Sequence, residues 1–147
     1  GWNLRMTNMQ AALGLAQLER LGEFVTKKRA MGKKYTELLK DLPCLQMPLM
    51  HTDYAVNIYW VYGLVLDEST GLNAEEAMKR LAAKGVGTRP FFYPMHQQPV
   101  LRRMGLFDGE QYPIAERLAK QGFYLPSGLA LQESKLYDIA RVLKDIF

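Results

Sequence analysis

Residues 7–41 set the strongest constraint on any fold open to this chain, because they read as one long helix, bent or straight. Thr7 followed by Gln10 has the form of a capping box, in which each side chain answers the other's backbone N–H. Met9, Ala12, Leu13, Ala16, Leu21, Phe24, Val25, Tyr35, Leu38 and Leu39 then return at close to helical spacing. Between residues 9 and 21 the apolar positions occupy more than one face. A helix of that kind requires cover, and the pattern predicts burial against something this chain does not itself contain. Gly14, Gly22 and Gly32 interrupt it, each at a cost of about 1 kcal/mol relative to alanine. Close packing against another element is the expected reason for them.

A loop marked by Pro43 and Pro48 follows. Tyr54, Val56, Ile58, Trp60, Tyr62, Leu64 and Leu66 then alternate onto one face. Their partners Ala55, Asn57, Tyr59, Val61, Gly63 and Val65 are only partly polar, which predicts a strand inside its sheet. Asn73 with Glu76 opens a helix over 73–84, and Gly85 ends it. A short strand is expected over 86–92 and irregular chain over 93–108, with one helical turn near Val100–Met104. Pro113 suits the first turn of a helix over 113–121. Phe123-Tyr124-Leu125 reads as a further short strand. Leu136, Ile139, Ala140, Leu143, Ile146 and Phe147 form the stripe of a last helix over 132–146. The pattern is an α+β (α/β) domain with a small sheet packed with helices.

Composition narrows the function. With 147 residues and 48% hydrophobic content the chain can bury a core of its own. No apolar run is long enough to span a membrane, and the first residues lack a signal-peptide pattern. One cysteine, Cys44, excludes an intrachain disulfide and suits a reducing, cytoplasmic setting. The net charge of +4 invites a nucleic-acid reading. Lys27, Lys28, Lys33 and Lys34 instead read as the solvated face of a helix, without the aromatics that single-stranded nucleic acid needs. The chain lacks an initiator methionine and its first element begins almost at once, so it is expected to be cut from a longer protein.

No self-contained catalytic set is visible. His51, His96 and Cys44 lack metal-ligand spacing, no glycine-rich phosphate loop is present, and no serine sits in a nucleophile elbow. Two segments nonetheless carry chemistry. In Gly1-Trp2-Asn3-Leu4-Arg5-Met6-Thr7, an amide and a guanidinium stand just before a helix start, where an anion is favoured; a solvated chain end is the plainer reading. From Arg89 to Pro99, three prolines, three aromatics, an arginine and a histidine fall within eleven residues. Prolines stiffen such a segment, its rings can wall a sugar or base pocket, and His96 can move a proton. A rigid loop with a hydrogen-bonded histidine is equally compatible with these residues.

These two segments carry a resemblance. Gly1-Trp2-Asn3-Leu4-Arg5-Met6, followed by Gln10-Ala11-Ala12-Leu13-Gly14-Leu15-Ala16-Gln17-Leu18, is similar to a motif entering a long helix in sugar-nucleotide aminotransferases of the DegT/StrS type. Arg89-Pro90 with Tyr93-Pro94-Met95-His96, and Leu125-Pro126-Ser127-Gly128, follow in the family's order. The resemblance spans nearly the whole chain. It implies the C-terminal small domain of an aspartate aminotransferase-like fold, with the large domain that binds pyridoxal 5'-phosphate (PLP) absent.

What the resemblance implies for residues is specific. Asn3 would reach the PLP phosphate of the partner subunit in a homodimer, with Arg5 beside it on cofactor or substrate phosphates. His96, Tyr93 and Phe92 would line the sugar-nucleotide pocket, and Arg89 would touch a nucleotide phosphate. Trp2 and Leu4 depart from the tyrosine expected at one or both positions, which leaves the local pocket shape open. The wording Arg-Pro-Phe-Phe-Tyr-Pro-Met-His resembles the perosamine-forming members, which move an amino group from glutamate to a GDP-linked 4-keto-6-deoxy sugar for surface polysaccharide. The Schiff-base lysine would lie upstream. The ten lysines here read as exposed helical positions, not as the buried setting such a lysine needs, so the chain alone is expected to be inactive. Relatives with histidine at that upstream position dehydrate a sugar instead, and a stand-alone binding module is a third reading.

Overall fold

The computed structural model describes residue 2 and residues 4–147. Helix α1 (Asn8–Glu19) and helix α2 (Leu21–Leu39) come first. They meet at Arg20, whose φ of −103° and ψ of 6° leave the helical region. The single helix expected over 7–41 is therefore two, although the capping box at its start is present as read: Gln10 N–H donates to Thr7 Oγ1 and Thr7 N–H to Gln10 Oε1.

After α2 the chain forms strand β1 (Leu45–Gln46), strand β2 (Tyr62–Leu66), helix α3 (Ala74–Ala83) and strand β3 (Arg89–Pro90). Helix α4 (Pro99–Arg103), helix α5 (Pro113–Gln121), strand β4 (Gly122–Leu125) and helix α6 (Glu133–Ile146) complete it. Single 3-10 turns occupy Glu68–Thr70 and Met95–Gln97. The sheet is antiparallel throughout, in the order β1-β2-β4-β3. β2 is interior, as its two apolar faces required. Pro90 lies on the edge strand, where a residue without an N–H costs the sheet least.

One face of the sheet carries the core. Tyr62, Leu64 and Leu66 of β2 and Phe123 and Leu125 of β4 pack with Tyr35 and Leu39 of α2, Ala77 and Leu81 of α3, and Leu136, Ile139, Ala140 and Leu143 of α6. Two of the buried phenols are satisfied at this layer's margin: Tyr35 donates to the Pro126 carbonyl at 2.9 Å, and Tyr62 and Thr36 share a hydrogen bond of 2.9 Å.

Two further expectations differ from the structure. The strand read over 54–66 survives only as β2. The Asn57 side chain accepts the Tyr59 N–H at 2.7 Å and donates to the Leu49 carbonyl at 2.9 Å. Local side-chain bonding of that kind competes with a ladder. Tyr59 then takes φ of 51°, turning the chain. Tyr54, Val56, Ile58 and Trp60 keep their alternation but stand exposed, beside a small bridge between His51 and Val56. The glycines divide too. A Cβ on Gly32 would lie 2.3 Å from the Tyr59 ring, so close packing explains it, whereas Gly14 and Gly22 have open space.

Candidate functional site

The outer face of the sheet is built by two missing side chains. Phe123 points into the core, so its neighbours Gly122 and Tyr124 face outward, with Gly63 of β2 directly opposite Tyr124. The Phe91 ring fills the space that the two glycines leave. A Cβ on Gly63 would meet it at 2.9 Å, and one on Gly122 would meet it at 2.3 Å and the Leu118 carbonyl at 2.4 Å. Phe91 N–H donates to Gly122 O at 3.1 Å, continuing the edge pairing.

Seated there, Phe91 stacks on Tyr124 with centroids 4.7 Å apart, and Phe92 meets Tyr124 edge-on at 6.4 Å. Arg89 is the register partner of Tyr124, so its side chain leaves the same face. Phe92 and Tyr93 stand 75% and 57% exposed at the rim. The structure thus brings Arg89 and Phe92 together through Tyr124, a residue legible in the sequence only as part of a strand. The signal was available: a glycine on each of two adjacent strands, with a double phenylalanine nearby. Chemically the face offers flat aromatic surface beside a guanidinium, which suits a planar or sugar ring carrying negative charge.

His96 does not join that surface. It is 5% exposed, with Nε2 at 2.8 Å from Glu116 Oε1 and its ring 4.9 Å from that of Tyr112. The same carboxylate oxygen accepts the Tyr112 N–H at 3.2 Å. The Glu116 carboxyl is held below its usual range, first by the hydrogen bond from His96 and then by the Tyr112 N–H. Arg102 Nε donates to the His96 carbonyl at 3.2 Å. A polar cavity of about 730 Å³ beside the 105–111 loop is lined by Glu116, Arg102 and Gln97, and His96 is not among its lining residues.

Arg5 lies on the exposed segment leading to α1, and Asn3 lies outside the described residues. The lysines need one correction. Lys28 is half-buried, not solvated, and burial lowers its pKa. Its ammonium donates to the Trp60 carbonyl at 2.9 Å and to that of Ser127, tying α2 to the chain entering β2 and the chain leaving β4 at one end of the sheet. Lys34 is also half-buried, 3.3 Å from Glu133 and over the Tyr137 ring. Pyridoxal phosphate, which the resemblance implies, needs a lysine amine, a carboxylate for its ring nitrogen and donors for its phosphate. Arg5 suits the last. Lys28 is engaged as a tether, and no carboxylate is buried among the described residues. The described residues therefore do not make up a site for the ring.

Comparison with known proteins gives consistent matches. The profile of the DegT/DnrJ/EryC1/StrS aminotransferase family matches residues 1–144. The GDP-perosamine synthase of Escherichia coli O157:H7 is 33% identical over 147 residues, covering 100% of this chain and 38% of the synthase. Among solved structures, Helicobacter pylori PseC, an aminotransferase of pseudoaminic acid biosynthesis, matches with a TM-score of 0.87 at 21% identity, over 100% of this chain and 39% of that one. The E. coli GDP-4-keto-6-deoxy-D-mannose-3-dehydratase matches with a TM-score of 0.77 at 19% identity, over 97% and 36%. The last two share the fold. The chain spans 36–39% of the lengths of these three proteins.

Proposed function

Because the chain belongs to the DegT/DnrJ/EryC1/StrS aminotransferase family, we propose that it is the small-domain portion of a sugar-nucleotide aminotransferase of the perosamine type. The full-length enzyme uses pyridoxal 5'-phosphate, as the family's aminotransferases do. It transfers the amino group of glutamate to the ketone of a GDP-linked 4-keto-6-deoxy sugar. Glutamate leaves as 2-oxoglutarate, and the amino sugar goes to surface polysaccharide.

The observation that carries this reading is the outward face of Arg89, Tyr124, Phe91 and Phe92. A nucleotide sugar presents a ring and a diphosphate, and that face presents aromatic surface and a cation. In the assembled protein Arg89, Phe92, Tyr93 and His96 serve the sugar-nucleotide pocket. Asn3 and Arg5 serve the cofactor phosphate across a homodimer. The lysine that carries the cofactor belongs to a large domain preceding this segment. Support for that arrangement comes from α1. It is capped and helical, yet buries no residue, and it exposes Met9, Leu13 and Leu18. Apolar surface of this kind marks an interface.

The test uses the full-length gene product with glutamate and GDP-4-keto-6-deoxymannose. Formation of a GDP-linked amino sugar with equimolar 2-oxoglutarate is expected. Loss of a sugar hydroxyl without amine incorporation would turn the reading to a dehydratase, and inertness toward every nucleotide sugar would end it. The chain by itself, mixed with one equivalent of pyridoxal phosphate and desalted before borohydride reduction, is expected to carry no stoichiometric adduct at any one lysine. Such an adduct mapped to Lys28 would overturn the assignment of the cofactor lysine to another domain.

A further inference from the structure

The proposed substrate face contains two exposed rings, Phe92 and Tyr93, on a segment with little regular structure. Something must hold them, because a mobile aromatic wall would lose much of its binding energy to ordering. Two anchors bracket the pair. On the N-terminal side, Phe91 sits in the slot left by Gly63 and Gly122 and its N–H is paired with Gly122 O. On the C-terminal side, His96 is buried with Nε2 on Glu116. Between the anchors, Pro94 is buried and restricts both its own backbone and that of Tyr93.

We propose that the half-buried Glu116 and the buried His96 form a clamp that positions the Phe92–Tyr93 wall for the sugar nucleotide, with Glu116 acting on the substrate only through His96. The inference rests on the functional reading above and changes one part of it: His96 is a positioning residue, not a ligand. Its Nε2 is occupied, and its ring is closed off from solvent. Glu116 is reached from several sides. Its Oε1 joins the Met95–Gln97 turn, through His96, to the N-terminal end of α5, through the Tyr112 N–H. The charged and titratable groups facing the His96 residue are Glu116 from α5, the Tyr112 ring before it, and Arg102 from α4, which binds the His96 carbonyl. Gln98 adds a bond from its side-chain amide to the Tyr93 carbonyl at 3.3 Å. Every one of these contacts fixes the segment, and none extends toward the aromatic face.

The experiment uses the full-length gene product carrying Glu116→Gln, His96→Gln or His96→Ala. Two readouts are taken: steady-state kinetics across pH with the nucleotide sugar, and hydrogen exchange of the 91–98 segment by mass spectrometry. Glu116→Gln and His96→Ala are expected to raise KM for the nucleotide sugar about tenfold, with kcat within about threefold, as loss of a charge-assisted bond predicts. Both variants should speed exchange at Gln97 and Gln98, while that of Phe123 in β4 stays unchanged. His96→Gln keeps an amide donor for Glu116 and should restore both readouts most of the way, with the wild-type pH profile. A fall in kcat of about 10² or more in His96→Gln, with exchange unaltered, would make His96 a proton-transfer residue and overturn the proposal. Unchanged exchange in Glu116→Gln would overturn it as well. If the wild-type enzyme aminates no sugar nucleotide, the functional reading fails, and exchange still decides whether the clamp exists.

Discussion

Helices α1 and α3 begin with the same device and end in opposite circumstances. Thr7 with Gln10 and Asn73 with Glu76 both form complete capping boxes. α3 then buries Ala74, Ala77 and Leu81 against the sheet and α6, while α1 buries nothing. The sheet, the second half of α2, α3 and α6 form a closed core. α1 and the exposed side chains between Leu49 and Trp60 form an apolar exterior. Capping and spacing are enough to make a helix; only a partner surface makes it part of a core.

The largest effects should come from opposing these regions directly. Phe123→Ala is expected to cost this chain about 3–5 kcal/mol in urea unfolding, because it empties a fully enclosed site. Leu13→Ala should stay within about 0.5 kcal/mol, since Leu13 is 68% exposed. A cost for Leu13→Ala approaching that of Phe123→Ala would erase the distinction. The glycines give a finer contrast. Gly122→Ala drives a methyl into Phe91 and the Leu118 carbonyl and should destabilise by about 1–3 kcal/mol. Gly14→Ala meets open space and should raise the helicity of α1, by about 1 kcal/mol of helix propensity. A destabilising Gly14→Ala, seen by circular dichroism and urea titration, would show that α1 is packed after all.

Next come the caps. Asn73→Ala is expected to lower global stability by about 1 kcal/mol, and Thr7→Ala to reduce far-ultraviolet helicity with the unfolding midpoint unmoved. Equal midpoint shifts would mean that α1 unfolds together with the core. The smallest effect concerns acid. The carboxyl of Glu116 titrates below its ordinary range when folded. Its contribution is therefore complete above the unfolded value and is lost as pH falls through the folded one. The stability difference between wild type and Glu116→Gln should accordingly shrink toward acid, and a difference that grows there would remove the His96 contact as its cause.

Local features were readable from the residues. The two capping boxes, the proline start of α5 and the stripe of α6 depend on neighbours within a few positions, and all of them are present. The interior placement of β2 followed from apolar residues on both its faces. The length of that strand did not, because Asn57 diverts the chain with its own side chain and alternation is silent about such competition. The two-residue strand β1 has too little pattern to detect. The aromatic and guanidinium residues of 89–93 were legible as a surface with chemistry, and the family they point to accounts for residues 1–144. Tyr124 was not legible as part of that surface, since its place depends on pairing with Arg89 and Gly63.

The amino-acid sequence by itself determined where the capped helices start, which strand lies inside the sheet, and which family this chain belongs to. Each of these is written in contiguous residues and short spacings. Tertiary structure alone decided that His96 turns inward to Glu116, that Lys28 joins α2 to two carbonyls, and that Phe91 lies on Gly63 and Gly122. Those contacts join residues from 20 to 99 positions apart where hydrogen bonds are concerned. At such separations the direction of a side chain is set by what the assembled fold puts opposite it.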